Sequence, residues 1–397
     1  MRQVPYVNLA AQYAAEREDL LAIIDRTLAT GQWIGGDVVA ELERDIAAYC
    51  GVKHALALNS GTDALIFGLT ALGIGAGDEV ITPPNSFIAS TAAIVHVGAL
   101  PVFVDVVPDQ SIDPSRIEAV VTARTKAIMP VHLTGRIADM DAIAAIAHRH
   151  GLFIIEDAAQ SIGSRYAGQP SGSIGNVGCF STHPLKNLNA CGDGGILTTN
   201  DDNVAERVRL MRNHGLVDRD TVAGFGFVSR MDSLQAAILK YRLGKLDAVI
   251  DKRRTNANLY RALLDPRHVF APPCRPVEFN SFHTMVIQVD RRDELKAHLA
   301  DHGIATAIHY PVPIHLQPAA ARLGYRTGDF PETERQAKRI LTLPVNEFLK
   351  TAEIRTIADT VNGFFGAKHV TPSRAAPRSR RRGTQNVTLV DDAVVPP

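Results

Sequence analysis

A lysine and an aspartate stand where a cofactor-dependent enzyme would need them. Lys186 lies between an apolar run at 178–181 and a glycine cluster at 192–195. Asp157 ends another apolar run, 29 residues earlier. Pyridoxal phosphate (PLP) enzymes use a lysine to carry the cofactor as a Schiff base and a carboxylate to keep its pyridine nitrogen protonated. The pair therefore points to PLP chemistry, although a surface lysine and a turn aspartate would look the same in isolation.

The segment Asn-Ser-Gly-Thr at 59–62 supplies a candidate phosphate site, because it follows an apolar run and opens a helical pattern. Backbone N–H groups of a helix's first turn, together with the Ser60 and Thr62 hydroxyls, suit a bound anion. An ordinary serine or threonine helix cap is the alternative. Ser181, five residues before Lys186, could bring a further hydroxyl to the same phosphate.

Four more side chains could face a flat cofactor or its substrate. Phe87 could stack on an aromatic ring, with core packing as the alternative. Gln160, three residues after Asp157, could bond the phenolic oxygen of PLP, with a surface amide as the alternative. His309 and Tyr310 predict a polar cluster at the mouth of a second domain, although a structural histidine is equally compatible with the pattern.

Short apolar runs alternate with longer helical patterns from residue 54 onward. We predict strands at 54–58, 79–82, 101–105, 126–131, 152–156, 178–181 and 195–199, and helices near 61–72, 86–97, 115–123, 139–150 and 201–213. This alternation predicts crossover connections and a mostly parallel sheet that is covered on both faces. Ligands bind beyond the carboxyl ends of such strands, which is where Asp157 and Ser181 lie.

The length of 397 residues predicts more than one domain. We expect an N-terminal helix and loop at 1–36, a large cofactor-binding domain at 37–250 and a smaller α+β domain at 251–366. A long helical stretch at about 233–264 would bridge the two. Residues 367–397 have too little apolar content to pack, so we predict a disordered tail.

Charge and cysteine usage exclude several classes of protein. Lys plus Arg and Asp plus Glu both total 42, so the formal net charge is zero and does not predict a nucleic-acid or membrane partner. From residue 368 onward the chain holds six basic and two acidic residues, so residues 1–367 carry 36 against 40, a net charge of −4. The four cysteines show no metal-type spacing and fit a reducing compartment. Because the cysteines lack such spacing, we predict no metal site. Because the N-terminus has no apolar signal core, we predict a cytoplasmic protein.

Seven motifs together resemble the DegT/DnrJ/StrS family of PLP-dependent aminotransferases. They are Ser-Gly-Thr-Asp-Ala-Leu at 60–65, Glu-Asp-Ala-Ala-Gln at 156–160, Phe-Ser-x-His-Pro-x-Lys-Asn-Leu at 180–188, Gly-Asp-Gly-Gly at 192–195, Arg-Met-Asp-x-Leu-Gln-Ala-Ala at 230–237, His-Tyr-Pro-x-Pro-x-His-Leu-Gln at 309–317 and Gly-Asp-Phe-Pro-x-x-Glu at 328–334. The resemblance runs from about residue 5 to 365. It implies the aspartate-aminotransferase fold type I, an α/β architecture whose mostly parallel mixed sheet has helices on both faces, plus a small C-terminal α+β domain.

The resemblance also implies roles for individual residues. Lys186 would hold PLP, Asp157 would pair with the pyridine nitrogen, Gln160 would meet the phenolic oxygen, and Phe87 would cover the ring. Residues implied for the phosphate are Ser60, Gly61, Thr62 and Ser181, and those implied for the substrate are Trp33, His183, Arg230, His309 and Tyr310. Lys186 also argues against the related dehydratase branch, in which a histidine replaces this lysine.

The chain departs from the family pattern at two positions. Thr182 stands where the family usually has phenylalanine. Val228 stands where the family has an asparagine that reaches the cofactor phosphate of the partner subunit. That contact cannot be made by a valine side chain, which leaves Ser229 or the backbone as possible substitutes.

The resemblance implies a homodimer with active sites at the subunit interface. It also implies transfer of the amino group of glutamate to a keto group of a nucleotide-linked deoxy sugar. Three alternatives stay open at this stage. Two are amination of a keto-cyclitol such as an inosose and an aminohydroxybenzoate-forming reaction. The third is a PLP-binding regulatory protein that senses without turnover.

Overall fold

The computed structural model describes residues 3–366, so the predicted disordered tail lies outside the described residues. The α-helices within this range are α1 Leu9–Ala29, α2 Asp37–Cys50, α3 Gly61–Ala71, α4 Ile88–His96, α5 Met140–His150, α6 Asp202–Met211, α7 Ser233–Leu243, α8 Leu246–Leu263, α9 Arg292–Asp301, α10 Pro331–Ala337 and α11 Thr351–Phe364. The strands are β1 His54–Leu58, β2 Glu79–Thr82, β3 Leu100–Phe103, β4 Thr125–Ile128, β5 Phe153–Asp157, β6 Arg165–Tyr166, β7 Gln169–Pro170, β8 Val177–Ser181, β9 Gly195–Thr199, β10 Val269–Phe270, β11 Glu278–Phe279, β12 Met285–Val289 and β13 Ile340–Leu343.

The central sheet has seven strands in the order β1-β9-β8-β5-β4-β2-β3. Strand β9 is antiparallel to both of its neighbours, and the remaining pairs in the sheet are parallel. The prediction of a mostly parallel mixed sheet is therefore confirmed. Each of the seven predicted strands corresponds to one strand of this sheet.

Helices cover both faces of this sheet, and the side chains of β1 show why. Leu56 and Leu58 pack with α3 and α6 in one apolar core, whereas Ala55 and Ala57 pack with α2 and α7 in another. All four side chains are buried. Because successive side chains of a strand point to opposite faces, each face has its own hydrophobic core. Two packed layers of helix hold the strand ends in fixed positions.

A second, antiparallel sheet of the order β10-β12-β13 forms the centre of the C-terminal part. Helices α8, α9 and α11 pack on it, and Val4 from the N-terminus joins the same core. Helix α8 connects the two parts, because Ile250 belongs to a core of the large sheet and Ala257 to the core of the small one. We propose a domain boundary near residue 250 on this basis, and one near residue 36 at the loop between α1 and α2.

Two helix predictions need correction. The stretch at 115–123 is not an α-helix but two short 3₁₀ turns, Pro114–Arg116 and Glu118–Val120. The bridging helix predicted at 233–264 is two helices, α7 and α8, interrupted at Gly244 and Lys245. Glycine is a poor helix former, which explains a break at this position.

Helix α2 was not predicted, although its sequence carries the signal. Val39, Leu42 and Ile46 recur at helical spacing and are buried. No helix within residues 3–366 is long and apolar enough to cross a membrane.

Candidate active site

The carboxyl ends of β1, β5 and β8 open onto one cavity of about 370 Å³. Eleven of the thirteen predicted site residues line it: Ser60, Gly61, Thr62, Phe87, Asp157, Gln160, Ser181, His183, Lys186, His309 and Tyr310. Strand β5 pairs with β8 in the sheet, so the two strand ends that carry Asp157 and Ser181 are neighbours. The residues therefore meet beyond the carboxyl ends of the strands, where ligands bind in sheets of this kind.

Lys186 lies on the turn that follows β8. Its backbone N–H donates to the carbonyl of His183 at 2.8 Å, and the N–H of His183 donates to Ser181 Oγ at 3.3 Å. Burial in the cavity wall lowers the pKa of the Lys186 ammonium to about 8, and the nearby Asp157 opposes this shift. A substantial fraction of Lys186 is therefore neutral near physiological pH, as a nucleophilic amine must be.

Asp157 is buried at the end of β5. Its Oδ2 accepts a hydrogen bond from Ser90 Oγ at 2.6 Å, and its Oδ1 accepts one from the backbone N–H of Ala159 at 3.2 Å. Burial raises the pKa of this carboxyl, whereas these two hydrogen bonds, and then Lys186 and His132, act in the opposite direction. The carboxylate thus lies in an enclosed place where a cationic partner would be favoured.

A second acidic residue, Glu156, lies beneath Asp157 and is fully buried. It accepts three backbone N–H groups of the 172–175 segment at 2.7–2.8 Å, and it bonds His132 Nε2 at 2.9 Å. The N–H of Ala138 donates to His132 Nδ1 at 3.3 Å, so Nε2 carries the proton and donates to Glu156. This satisfied network fixes β5 against β4 and against the loop before β8.

The start of α3 lies against Ser181. A Cβ at Gly61 would lie 2.7 Å from Ser181 Cβ, so only glycine permits this approach. Ser60 Oγ accepts from the N–H of Asp63 at 3.1 Å and caps the helix. The segment can cap the helix and also offer an anion site, because Ser60, Gly61 and Thr62 line the cavity.

Gln160, Tyr310 and Phe87 form one wall. Gln160 Oε1 accepts from the N–H of Thr134 at 2.8 Å, and its Nε2 lies 3.4 Å from the Tyr310 hydroxyl. The rings of Phe87 and Tyr310 are 5.6 Å apart. Gln160 is buried and is not a surface amide, whereas Phe87 is 55 % exposed and is not a core residue. The alternatives considered for these two residues are therefore excluded.

The C-terminal part of the chain, which carries Tyr310, also contributes His309 to the cavity. His309 Nδ1 lies 2.9 Å from Thr342 Oγ1, and burial followed by the charge of Lys186 lowers the pKa of His309 to about 4. His309 is therefore a neutral hydrogen-bonding group at physiological pH. Sequence reasoning missed four polar lining residues, which no motif distinguished: Tyr6, Arg253, His283 and Asn346.

Two predicted substrate residues, Trp33 and Arg230, do not line the cavity of their own chain. Trp33 is 61 % exposed on the loop between α1 and α2. Arg230 donates to Asn213 Oδ1 at 3.2 Å. The two loops are adjacent, because the N–H of Ser233 donates to the Trp33 carbonyl at 2.9 Å.

The two departures from the family pattern have different surroundings. Val228 is half-exposed, and its carbonyl accepts from Asn59 Nδ2 at 3.4 Å. Ser229 is fully buried, and its hydroxyl donates to Asn59 Oδ1 at 3.1 Å. Ser229 therefore holds its own chain together and does not replace an outward-reaching asparagine. Thr182 is buried against Gly194, where an added Cβ would lie 2.2 Å from its Oγ1.

The donor set of the cavity fits PLP. It offers a lysine with a lowered pKa, a buried carboxylate and an amide beside a phenol. It also offers a helix N-terminus flanked by hydroxyl groups, which suits a phosphate. In residues 3–366, no group of three or more His, Cys, Asp or Glu side chains could hold a metal ion. The fold and this site define a PLP-dependent aminotransferase.

Comparison with known proteins places the chain in a family. The model of the DegT/DnrJ/EryC1/StrS aminotransferase family matches residues 14–362, and the chain belongs to that family. It is 43% identical over 366 residues to a pleiotropic regulatory protein of Geobacillus stearothermophilus, covering 91% of this chain and 98% of the relative.

Two further comparisons concern proteins of Streptomyces venezuelae. The chain is 41% identical over 365 residues to the dTDP-3-amino-3,4,6-trideoxy-alpha-D-glucose transaminase. The match covers 90% of this chain and 95% of the relative. The crystal structure of S. venezuelae DesV in complex with a ketimine intermediate superposes with a TM-score of 0.90 at 40% identity. That match covers 95% of this chain and 100% of DesV.

Proposed function

We propose that this aminotransferase moves the amino group of glutamate to a keto group of a nucleotide-linked deoxy sugar. The observation that carries the proposal is the single cavity that Lys186 and Asp157 line together with hydroxyl and amide side chains. The S. venezuelae transaminase to which the chain is similar is named for a dTDP-linked amino sugar, which supports a nucleotide-sugar acceptor. PLP, when bound, supplies the electron sink for the proton transfer at the amine-bearing carbon.

We propose roles for the lining residues in line with their geometry. Lys186 would hold the cofactor, and its amine, once free, would carry the proton. Asp157 would pair with the ring nitrogen, Gln160 would bond the phenolic oxygen, and Phe87 would cover the ring. The phosphate is held by the start of α3 with Ser60, Gly61 and Thr62, and by Ser181. The substrate side is formed by His183, His309 and Tyr310.

We propose further that two copies of the chain form a dimer and that each completes the other's site. The loop at 213–228 presents apolar side chains to solvent, and Phe225 is fully exposed. Trp33 and Ile34 on the adjacent loop are also more than half exposed. Contiguous apolar surface of this kind marks an interface with another protein chain. A second copy as the occupant would bring Trp33 and Arg230 to the partner's cavity.

Replacing Val228 by asparagine tests this arrangement from the cofactor side. If the partner's phosphate lies near Val228, Val228→Asn adds a donor and tightens PLP binding. The gain should be about 1 kcal/mol, or ~2 for a charged acceptor. The measurement is titration of the apoprotein with PLP. Val217→Asn, on the same loop and also more than half exposed, is the matched control and should leave affinity unchanged. Unchanged affinity in Val228→Asn would mean that another group fills this role.

Arg230→Ala tests the acceptor. A nucleotide diphosphate brings negative charge to a chain whose residues 1–367 are slightly acidic, so a local cation is needed. An arginine fork pairs with phosphate oxygens in a bidentate way. We expect the KM of a nucleotide keto sugar to rise in Arg230→Ala, with the glutamate half-reaction intact and with acceptor binding weakened by salt. A neutral inosose would show neither effect.

Mixing two defective variants shows whether Arg230 acts across the interface. A hybrid dimer of Lys186→Ala and Arg230→Ala chains carries one site with an intact lysine and an intact arginine from the partner. Activity at low acceptor concentration should therefore reappear on mixing. If mixing restores nothing although hybrids form, Arg230 serves its own chain.

The rival acceptors and the rival class are separated by direct assays. The acceptor is identified by testing a panel of nucleotide keto sugars and inosose against the pyridoxamine form of the enzyme. Efficient amination of inosose alone would replace the nucleotide-sugar assignment with the cyclitol branch. Turnover of labelled glutamate separates an enzyme from a sensor, and the family assignment favours turnover. We also propose a cytoplasmic location, supported by four unpaired cysteines.

A further inference from the structure

Ser90 is a fully buried hydroxyl on α4 that the proposed mechanism leaves without a role. Its Oγ donates to Asp157 Oδ2 at 2.6 Å. We propose that Ser90 is a positioning residue, which keeps the Asp157 carboxylate ionised and aimed at the ring nitrogen of PLP. The inference rests on the proposed role of Asp157 and goes beyond it, because it assigns the orientation of that carboxylate to a different element of the fold.

The two oxygens of Asp157 are held by donors of different kinds. The N–H of Ala159 holds Oδ1 at 3.2 Å and belongs to the same strand end, so it moves with Asp157 itself. Ser90 holds Oδ2 from a separate helix. Two donors from two elements fix the plane of the carboxylate, which a single local bond would leave free to rotate. Hydrogen bonds to the charged form of an acid also favour that form.

The Ser90 hydroxyl has a second acceptor within reach. The carbonyl of Phe87 lies 3.3 Å from Ser90 Oγ, longer than the 2.6 Å to Asp157. An ionised carboxylate is the stronger acceptor, so the hydroxyl turns to Asp157 when that group is charged. The same serine thereby links the start of α4, next to Phe87, to the Asp157 carboxylate.

Other titratable groups also face Asp157. Lys186 from the turn after β8 and His132 from the segment after β4 favour its charged form. Tyr310 from the C-terminal part and Cys179 on β8 each have a pKa that Asp157 helps to raise. Burial is the largest influence on the pKa of Asp157, and the Ser90 hydrogen bond is the largest that opposes it. Without Ser90, burial would be opposed mainly by the weaker contributions.

The experiment compares PLP with 1-deazapyridoxal phosphate, an analogue in which C–H replaces the ring nitrogen. Both are titrated into the apoprotein, so no substrate is involved. Ser90→Ala should weaken PLP binding by roughly tenfold or more, the value of a hydrogen bond to a charged group. Binding of the analogue should be unchanged or tighter, because an ionised Asp157 has no partner on that ring. Ser90→Thr retains the hydroxyl and should restore PLP affinity.

Ser86→Ala is the matched control. Ser86 is also buried in this segment, and its Oγ donates to the Phe87 carbonyl at 3.1 Å without contacting Asp157. It should leave the preference for PLP over the analogue intact. The proposal is overturned if Ser90→Ala weakens both ligands equally, or if it behaves as Ser86→Ala does.

Asp157→Asn separates failure of this inference from failure of the proposed site. If Asp157→Asn loses the preference for PLP but Ser90→Ala keeps it, only the role of Ser90 is wrong. If Asp157→Asn keeps the preference, the proposed contact between Asp157 and the ring nitrogen is itself wrong.

Discussion

Replacing Lys186 by alanine should abolish turnover while leaving a folded protein that still binds PLP without a covalent bond. The loss in kcat should be on the order of 10³-fold or more, since one side chain serves as cofactor anchor and as proton carrier. Loss of the absorbance band of lysine-bound PLP should accompany it. Borohydride reduction of the wild-type protein followed by peptide mapping should label Lys186 and none of the other nine lysines.

The pH dependence of cofactor capture gives a second test of the same residue. A neutral amine is the reactive form, and burial places the pKa of Lys186 at about 8 instead of its ordinary 10.5. The rate at which the apoprotein captures PLP should therefore rise with pH up to about 8 and level off above it. Lys126→Ala removes an exposed lysine on β4 and should change neither the label nor this profile. Labelling of any other lysine would contradict the assignment.

Much of the site could be predicted from sequence because it follows from the ends of strands. An apolar run that ends in an acid predicts a strand with the acid at its carboxyl edge, and β5 with Asp157 has this form. Gly61 is informative for a steric reason, since the close approach of α3 to Ser181 excludes any side chain at this position. Local pattern and local geometry agree at these positions.

The remainder depends on contacts between distant segments, which no local pattern encodes. Ser90 contacts Asp157 across 67 positions, and His132 bonds Glu156 from the segment that follows β4. Arg253 on α8 and Asn346 after β13 also line the cavity, far along the chain from Lys186 and Asp157. Helix α2 is a different case, because its apolar spacing was present in the sequence and was overlooked.

Asp157→Asn should reduce the rate by at least ~10²-fold with the fold retained, the range for losing one preorganised electrostatic partner. The substitution keeps the size of the side chain but removes the negative charge. An amide does not stabilise a protonated ring nitrogen as a carboxylate does, so the cofactor becomes a poorer electron sink. The measurement is the single-turnover rate with glutamate, with circular dichroism as the check on folding.

The comparison variant is Asp193→Asn, which removes a second carboxylate from the same cavity wall. Asp193 is exposed, so solvent screens its charge and the loss should be much smaller. Asp157→Glu restores the charge on a longer side chain and should recover part of the rate. Near-normal activity in Asp157→Asn would mean that this carboxylate only supports the fold. In that case the 2.6 Å contact with Ser90 would be a structural bond between α4 and β5.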